Sequence, residues 1–310
     1  MATIKPAAWL KEHQRNVYSQ AGEDGIVQKI LELLPQNDGW CVEFGAWDGV
    51  ELSNTRNLIR NRGYSAVLIE GSVERFRALQ RNCASDPNTI AINTFIGFEK
   101  DNDLDRVLAS TPIPPDFDFL SIDIDGNDYH IWRGMSAYRP KAVCIEFNPT
   151  IPPQLRFVQP ADPRVNQGAS LLSLVELGKE KGYELVSASR FNAFFVRAED
   201  FPLFEIEDNR PEALWTDLES ITYLFSGYDG RVFLQGSRKF PWHKIAFRET
   251  RVQHLSRFLQ SYPGNYTILQ MIGFAIYLLL HEPRMFVKES GERLRLLRRR
   301  WARRFKGRSS

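Results

Sequence analysis

The chain has 310 residues, of which 25% are charged and 43% are hydrophobic, as in an ordinary globular protein that holds one large domain with an appendage or two domains. Three cysteines without a C-x-x-C pair argue against a disulfide framework or a zinc site and favour reduced core thiols. No apolar signal region opens the chain, and no apolar run reaches the ~18 residues of a membrane span, so we expect a cytoplasmic protein.

Charge is divided unevenly along the chain. The net charge is +2, but residues 293–308 carry nine Arg or Lys and no acid, so the remainder sums to 2 − 9 = −7. This asymmetry predicts an anionic partner for the basic segment. It argues against nucleic acid as a substrate of the acidic remainder, because that part would repel phosphates.

Strands and helices alternate over residues 17–198. The predicted strands are Trp40–Phe44, Ser65–Ile69, Thr89–Thr94, Phe117–Ile124, Lys141–Phe147, Gly182–Val186 and Ala193–Val196. The predicted helices are Glu23–Leu34, Asn54–Asn61, Val73–Asn82, Asp103–Ala109, Asp128–Met135 and Leu171–Lys181. The link between the last two strands is too short for a crossover, which makes that pair antiparallel. The pattern predicts an α/β fold with a doubly wound, seven-stranded, mostly parallel sheet.

The first strand runs into the turn Gly45-x-x-x-Gly49, and the second strand ends in Glu70. In α/β folds, a glycine turn after one strand and an acid after the next hold a nucleoside with a hydroxylated ribose. Trp47 and Asp48 stand where a pyrophosphate would lie, which argues against NAD or FAD. The alternative is an ordinary strand turn with incidental acids.

This turn resembles motif I of class I methyltransferases that use S-adenosylmethionine (SAM), with Glu70 at the position of the ribose-binding acid. The resemblance implies a Rossmann-like class I methyltransferase fold with strand order 3-2-1-4-5-7-6 and an antiparallel last strand. After this core, the residue patterns predict a mainly helical C-terminal extension. The resemblance also implies a set of cofactor-binding residues, which are Gln20, Glu43, Gly45, Ala46, Asp48, Gly49, Glu70, Gly71 and Asp123.

Oxygen-bearing side chains follow the fourth and fifth strands. Strand alternation predicts Ser121, Asp123 and Asp125 on one face, and Glu146 and Asn148 repeat the spacing at the end of strand five. Close carboxylates must bind a cation, share a proton or accept hydrogen bonds. Mg²⁺ takes such ligands, so we expect the three acids Asp123, Asp125 and Glu146, with the Asn148 amide, to hold a metal that activates a substrate hydroxyl. The alternative is that the two aspartates bind only the methionine amine and the neighbouring glycine turn.

The segment Phe119–Gly126, with Arg133-Gly134 after it, resembles the signature of FkbM-type methyltransferases, which are SAM-dependent O-methyltransferases of sugars and natural products. Two features, Asp123-Ile124-Asp125-Gly126 and the Glu146-x-Asn148 strand exit, differ from the usual FkbM pattern. They favour a metal-dependent type of O-methyltransferase. In this family a segment before motif I covers the cofactor, which makes Gln20 and Glu23 candidates. The alternative for that segment is that Ser19 or Asp24 is a helix N-cap.

Two further features bear on the acceptor. His130 lies on the first turn of the helix after Asp125 and is a candidate general base beside Asp123 and Asp125, although a lone helical histidine is more often structural. The loop over residues 149–170 is predicted to lie over the acceptor pocket, where Phe157 would stack on a sugar and Arg156 and Arg164 would bind its hydroxyls. A solvated connection is the alternative.

Three segments make up the predicted domain organisation, which is a core over 1–198, a cap over 199–264 and C-terminal helices over 265–310. Asp229-Gly230 predicts a hairpin in the cap. Thr267–Leu280 predicts a buried or interfacial helix, and 293–308 predicts a basic amphipathic helix on an anionic membrane surface at the cytoplasmic face. The alternatives for that helix are a homo-oligomer contact, a nucleic-acid contact and a solvated tail.

Together these patterns predict a SAM-dependent O-methyltransferase that acts on a sugar or glycan, including a lipid-linked saccharide, with help from a divalent metal. The alternatives are a small-molecule natural-product O-methyltransferase and a non-catalytic partner protein with the SAM fold.

Overall fold

The structure, a computed structural model, describes residues 5–98 and 102–288. The chain forms two compact units, Met1–Ile221 and Thr222–Ser310. The first unit therefore extends past the core boundary expected at 198, and the three-part division stays a prediction. The basic helix predicted over 293–308 lies outside the described residues.

A seven-stranded sheet forms the centre of the first unit, in the order β3-β2-β1-β4-β5-β7-β6. Its strands are β1 (Trp40–Phe44), β2 (Ser65–Glu70), β3 (Thr89–Asn93), β4 (Phe119–Ile122), β5 (Ala142–Glu146), β6 (Tyr183–Ala188) and β7 (Asn192–Arg197). Strands β1 to β5 pair in parallel, and β7 is antiparallel to both β5 and β6. This is the Rossmann-like class I methyltransferase fold, as predicted.

Helices cover both faces of this sheet. They are α1 (Glu23–Leu33), α2 (Arg56–Arg62), α3 (Val73–Asn82), α4 (Leu104–Leu108), α5 (Asp128–Gly134), α6 (Leu171–Glu180) and α7 (Pro211–Leu214). Successive residues of β1 enter opposite cores, with Val42 in one and Cys41 in the other. The near-continuous apolar strands are thus explained by burial on both faces. The three cysteines are buried and free, as expected.

Strand β4 is shorter than predicted. It ends at Ile122, although the N–H of Asp123 still donates to the Phe44 carbonyl at 3.0 Å. Asp125 has a φ of 58°, in the left-handed region, so strand alternation does not reach it. The expectation that alternation alone places Asp125 on the face of Ser121 is therefore wrong, and a turn presents this carboxylate instead.

The second unit begins with the predicted hairpin. Strands β8 (Thr222–Ser226) and β9 (Val232–Gly236) are antiparallel around the Asp-Gly turn, and β10 (Lys239–Phe240) pairs with β11 (Ile245–Ala246). Helix α8 (Ile268–His281) starts at Thr267, where a capping box closes the first turn. Within 5–98 and 102–288, no helix is long and apolar enough to cross a membrane.

Candidate cofactor and metal site

The turn after β1 depends on glycine at position 45. Gly45 has a φ of +85°, and a Cβ there would lie 1.7 Å from the backbone oxygen of Asp123. The N–H groups of Gly45 and Ala46 both donate to the Ile69 carbonyl, at 3.1 and 3.0 Å. Glycine therefore lets the exits of β1 and β4 approach each other at the carboxyl edge of the sheet, where α/β folds bind ligands.

Glu70 ends β2 with a buried carboxylate. Its oxygens accept hydrogen bonds from the N–H of Trp47 at 3.0 Å and from the N–H of Ser72 at 2.7 Å. A carboxylate accepts about four hydrogen bonds, so Glu70 keeps capacity for two ribose hydroxyls. Next to it, Gly71 leaves room for the ring of Phe95, because a Cβ there would lie 2.5 Å from that ring.

Phe95 is a residue that the sequence reading missed. It follows β3 and is 75% exposed, and its ring lies against the backbone that follows Glu70. The available sequence signal was a phenylalanine two residues after the end of β3.

The other two acids of the glycine turn hold the chain itself. Glu43 is buried and accepts three hydrogen bonds of 2.6–2.7 Å from residues 53–55. Burial raises the pKa of Glu43, and those three bonds oppose the rise. Asp48 accepts from the N–H groups of Val50 and Glu51, at 2.9 and 2.8 Å. Both carboxylates therefore fix loops around the pocket, and their predicted contact with the cofactor stays a prediction. Gly49 has a φ of +71° and packs under the α3 side chains.

Three carboxylates converge beside the turn. One oxygen from each of Asp123, Asp125 and Glu146 lies within 4.8 Å of the others. Burial, and then the neighbouring carboxylates, raise the pKa of Asp123 and of Glu146 well above the usual range. In the described part of the chain, no Lys or Arg forms an ion pair with any of the three. Such a group of unpaired acids suits a hard divalent cation.

Asp128 shapes the turn that presents Asp125, a role that the sequence reading missed. Its two carboxylate oxygens accept from the N–H groups of Ile124 and Gly126, both at 2.9 Å. Burial raises the pKa of Asp128 to about 6, against the effect of those bonds. The available signal was an acid at the start of a helix just after a glycine, which is a common turn-forming arrangement.

Asn148 is the least free of the predicted ligands. Its amide oxygen accepts from the N–H and the hydroxyl of Thr150 at 2.9 and 2.7 Å, and its amide nitrogen donates to the Gln167 carbonyl at 2.8 Å. Both ends of the amide thus hold the loop after β5. Metal ligation by Asn148 stays a prediction, and it would require the oxygen to be shared with Thr150.

His130 lies with its Nε2 atom 2.8 Å from the Gln159 carbonyl. A carbonyl only accepts, so Nε2 carries the proton and donates, which leaves Nδ1 as the nitrogen that can take a proton. The ring packs edge-on to Phe98 and Tyr129. These contacts give His130 a structural role in holding the 149–170 loop, and its role as a base stays a prediction.

The segment before α1 is held by two buried acids. Asp24 accepts from three consecutive N–H groups, of residues 17–19, at 2.7–2.8 Å. Glu23 accepts from the Ser189 hydroxyl at 2.7 Å, which ties the segment to the link between β6 and β7. The N-cap is Gly22 in the left-handed conformation, so the alternative that Ser19 or Asp24 is the N-cap is wrong. Gln20 is exposed.

No family model matches the chain, and no curated protein matches it in sequence. Solved structures that resemble it include a SAM-dependent methyltransferase from Aquifex aeolicus, at 12% identity and a TM-score of 0.35, covering 61% of this chain and 96% of that one. The N-terminal domain of EvdMO1 with SAH bound is 14% identical, with a TM-score of 0.35 and coverage of 59% and 99%. The CMeT domain of the citrinin polyketide synthase is 13% identical, with a TM-score of 0.36 and coverage of 59% and 55%. TM-scores this low do not indicate a function for this chain.

Proposed function

We propose that this protein is a SAM-dependent O-methyltransferase that methylates a hydroxyl of a sugar or glycan with the help of a divalent metal. The observation that carries the proposal is the position of Asp123. Its backbone touches the glycine turn at Gly45, and its side chain belongs to the three-carboxylate group. A pocket for a nucleoside and a site for a cation therefore meet at one residue.

The acids around the glycine turn suit a cationic, phosphate-free nucleoside. SAM would supply a methyl group bonded to a sulfonium sulfur. The neutral thioether that leaves is already a good leaving group, so the transfer needs little further assistance. Glu70 has acceptor capacity for the ribose, and Asp123 offers negative charge for the methionine amine. The chain's own contribution is to orient the two reactants, because positioning supplies much of the rate in such a transfer.

The three-carboxylate group would hold the metal through Asp123, Asp125 and Glu146. A divalent ion held by these residues would lower the pKa of a substrate hydroxyl and orient it toward the methyl group. Asp123 and Glu146 are partly buried, their pKa values are raised, and in the described residues they form no ion pair with a Lys or Arg, so a cation would stabilise their charged forms. The proton of that hydroxyl would pass to the carboxylate of Asp123 or Asp125, and Nδ1 of His130 is the alternative acceptor.

The acceptor would lie under the 149–170 loop, which follows β5 directly. Phe157 is partly exposed and offers a ring for a sugar face. Arg156 and Arg164 are already paired with carboxylates of Glu176 and Asp162, at 2.6 and 2.7 Å, so they are less available to the acceptor than the sequence suggested. A hydroxylated natural product is the second candidate acceptor.

The test is transfer of labelled methyl from SAM to a panel of mono- and oligosaccharides and to phenolic natural products, with Mg²⁺ or with a chelator. We expect transfer to a saccharide hydroxyl that the chelator abolishes, and a loss of about 100-fold or more in Asp125→Asn and Glu146→Gln. Asp208→Asn, which removes an exposed carboxylate paired with Arg210 at 2.7 Å outside the 149–170 loop, is the matched control and should keep its activity.

Three outcomes would contradict the proposal in different ways. Methyl transfer that persists in the presence of the chelator would show that the reaction needs no metal. Transfer only to phenolic compounds would replace the sugar acceptor with a natural product. SAM binding without transfer to any acceptor would favour the non-catalytic partner protein.

A further inference from the structure

Helix α8 exposes a continuous apolar face. The residues on this face are aliphatic and at least half exposed, and they are Ile268, Leu269, Ile272, Ile276, Leu279 and Leu280. With about 100° between successive residues, these six positions fall within about 120° of the helix circumference. The second unit therefore presents one uninterrupted stripe that contains no polar side chain.

The opposite face anchors α8 inside its own unit. Leu278 is buried, and the Gln270 side chain donates to the Phe258 carbonyl at 2.9 Å. The hydroxyl of Tyr266, just before the helix, donates to the Leu259 carbonyl at 2.7 Å. The capping box at the start of α8 adds further order. The apolar stripe is thus a fixed surface of a packed helix.

The charge of the second unit identifies the kind of partner. Residues 222–310 contain 18 Lys or Arg and 5 Asp or Glu, a net charge of +13. The whole chain's +2 less this +13 leaves −11 for residues 1–221. An apolar stripe in a strongly basic unit is complementary to a surface that is apolar below and anionic above, as the interface of a membrane with acidic lipids is.

We infer that α8 lies in the plane of an anionic membrane, with its aliphatic stripe among the acyl chains, and that the net positive charge of residues 222–310 attracts it to the acidic headgroups. Fourteen residues of helix extend about 21 Å, less than the ~30 Å hydrocarbon core, so α8 lies on the membrane and does not span it. Exposed aromatic side chains at Trp242 and Tyr262 suit the headgroup level.

Two other partners fit the stripe less well. A second copy of the chain would bring two units of +13 together, and their repulsion opposes association. RNA binds basic proteins through phosphate contacts and stacking on aromatic rings, whereas this stripe is purely aliphatic. The membrane is the partner that accounts for both the stripe and the charge.

Flotation of the full-length protein with vesicles tests the inference, with neutral phosphatidylcholine vesicles and with vesicles that also contain phosphatidylglycerol. We expect flotation with the anionic vesicles only, weakened by salt. The variant Ile272→Asn/Ile276→Asn should reduce the partition coefficient by about tenfold or more, because it removes two aliphatic side chains that the acyl region of the membrane would bury. The control Leu203→Asn/Leu218→Asn removes two exposed leucines, at 42% and 44%, from the first unit and should float like the parent protein.

Thermal unfolding of each variant checks the fold. If Ile272→Asn/Ile276→Asn is destabilised, Leu269→Asn/Leu280→Asn replaces it, since both leucines are 70% exposed. Equal flotation of stripe variants and parent would overturn the inference, as would equal binding to neutral vesicles. A dimer that the stripe variant dissociates, without flotation of the parent, would make the stripe a subunit contact. RNA binding that the variant retains, again without flotation, would make RNA the partner.

Discussion

Replacing Gly45 with alanine should damage the site more than any other single methyl addition in the glycine turn. Gly45 has a φ of +85°, which costs an alanine ~1–2 kcal/mol of folding free energy. The added Cβ would also lie 1.7 Å from the Asp123 carbonyl oxygen, whereas real Cβ contacts essentially never fall under 3.0 Å. The two strand exits would therefore have to separate by at least 3.0 − 1.7 = 1.3 Å.

That separation breaks the hydrogen bond from the Asp123 N–H to the Phe44 carbonyl, which measures 3.0 Å. Leaving buried backbone groups unpaired costs ~1–3 kcal/mol. Together with the backbone strain, the expected loss for Gly45→Ala is ~2–5 kcal/mol in the free energy of unfolding.

Gly39→Ala is the matched control for this prediction. Gly39 also has a positive φ, of +75°, but a Cβ there would meet nothing within 4 Å. Its variant should lose only the ~1–2 kcal/mol of backbone strain. Urea unfolding of both variants measures the difference, which isolates the close approach of β1 and β4. Equal stabilities of the two variants would refute this account of the turn.

Three further predictions concern the site and the core around it. Glu70→Ala should weaken SAM binding at least about tenfold in calorimetry, because the ribose loses its buried hydrogen-bond acceptor. An unchanged affinity would show that Glu70 does not bind the ribose. The affinity for Mn²⁺ should fall as the pH falls, because burial raises the pKa of Asp123 and of Glu146 and the ion must then displace protons from them. Mn²⁺ titrations followed by electron paramagnetic resonance at successive pH values measure this affinity. An affinity that does not change with pH would contradict the prediction. Arg56→Met should cost ~1–3 kcal/mol in urea unfolding, because Arg56 is the buried partner of the Asp86 carboxylate at 2.7 Å and its loss leaves that carboxylate with Arg60 alone. Arg60→Met, which removes the more exposed partner at 3.0 Å, should cost under about 1 kcal/mol, and equal costs for the two variants would contradict this assignment.

The fold was predictable because its signals are local and repeated. Strands such as Trp40–Phe44 read as continuous apolar runs since both of their faces are buried, and the short link before β7 left only an antiparallel pair. The order of strands then placed Asp123 and Glu146 at neighbouring exits, where the structure brings their carboxylates together with that of Asp125.

The detailed roles of the acids were not predictable, because they depend on hydrogen bonds to backbone groups that no residue pattern records. Glu43 and Asp48 carry the residue types expected of a cofactor site, yet both accept hydrogen bonds from neighbouring loops. Asp128 was passed over, although its two bonds set the left-handed turn at Asp125. The engagement of Asn148 by Thr150 is equally invisible in sequence.

The proposed SAM pocket can be tested by calorimetric titration of the whole chain with SAM, in the presence and absence of Mg²⁺. We expect saturable binding at one site per chain in the parent protein and in Glu146→Gln, whose changed carboxylate lies in the proposed cation group, and much weaker binding in Glu70→Ala. A folded protein that shows no SAM binding under either condition would contradict the claim that the Gly45 turn and Glu70 form a SAM pocket.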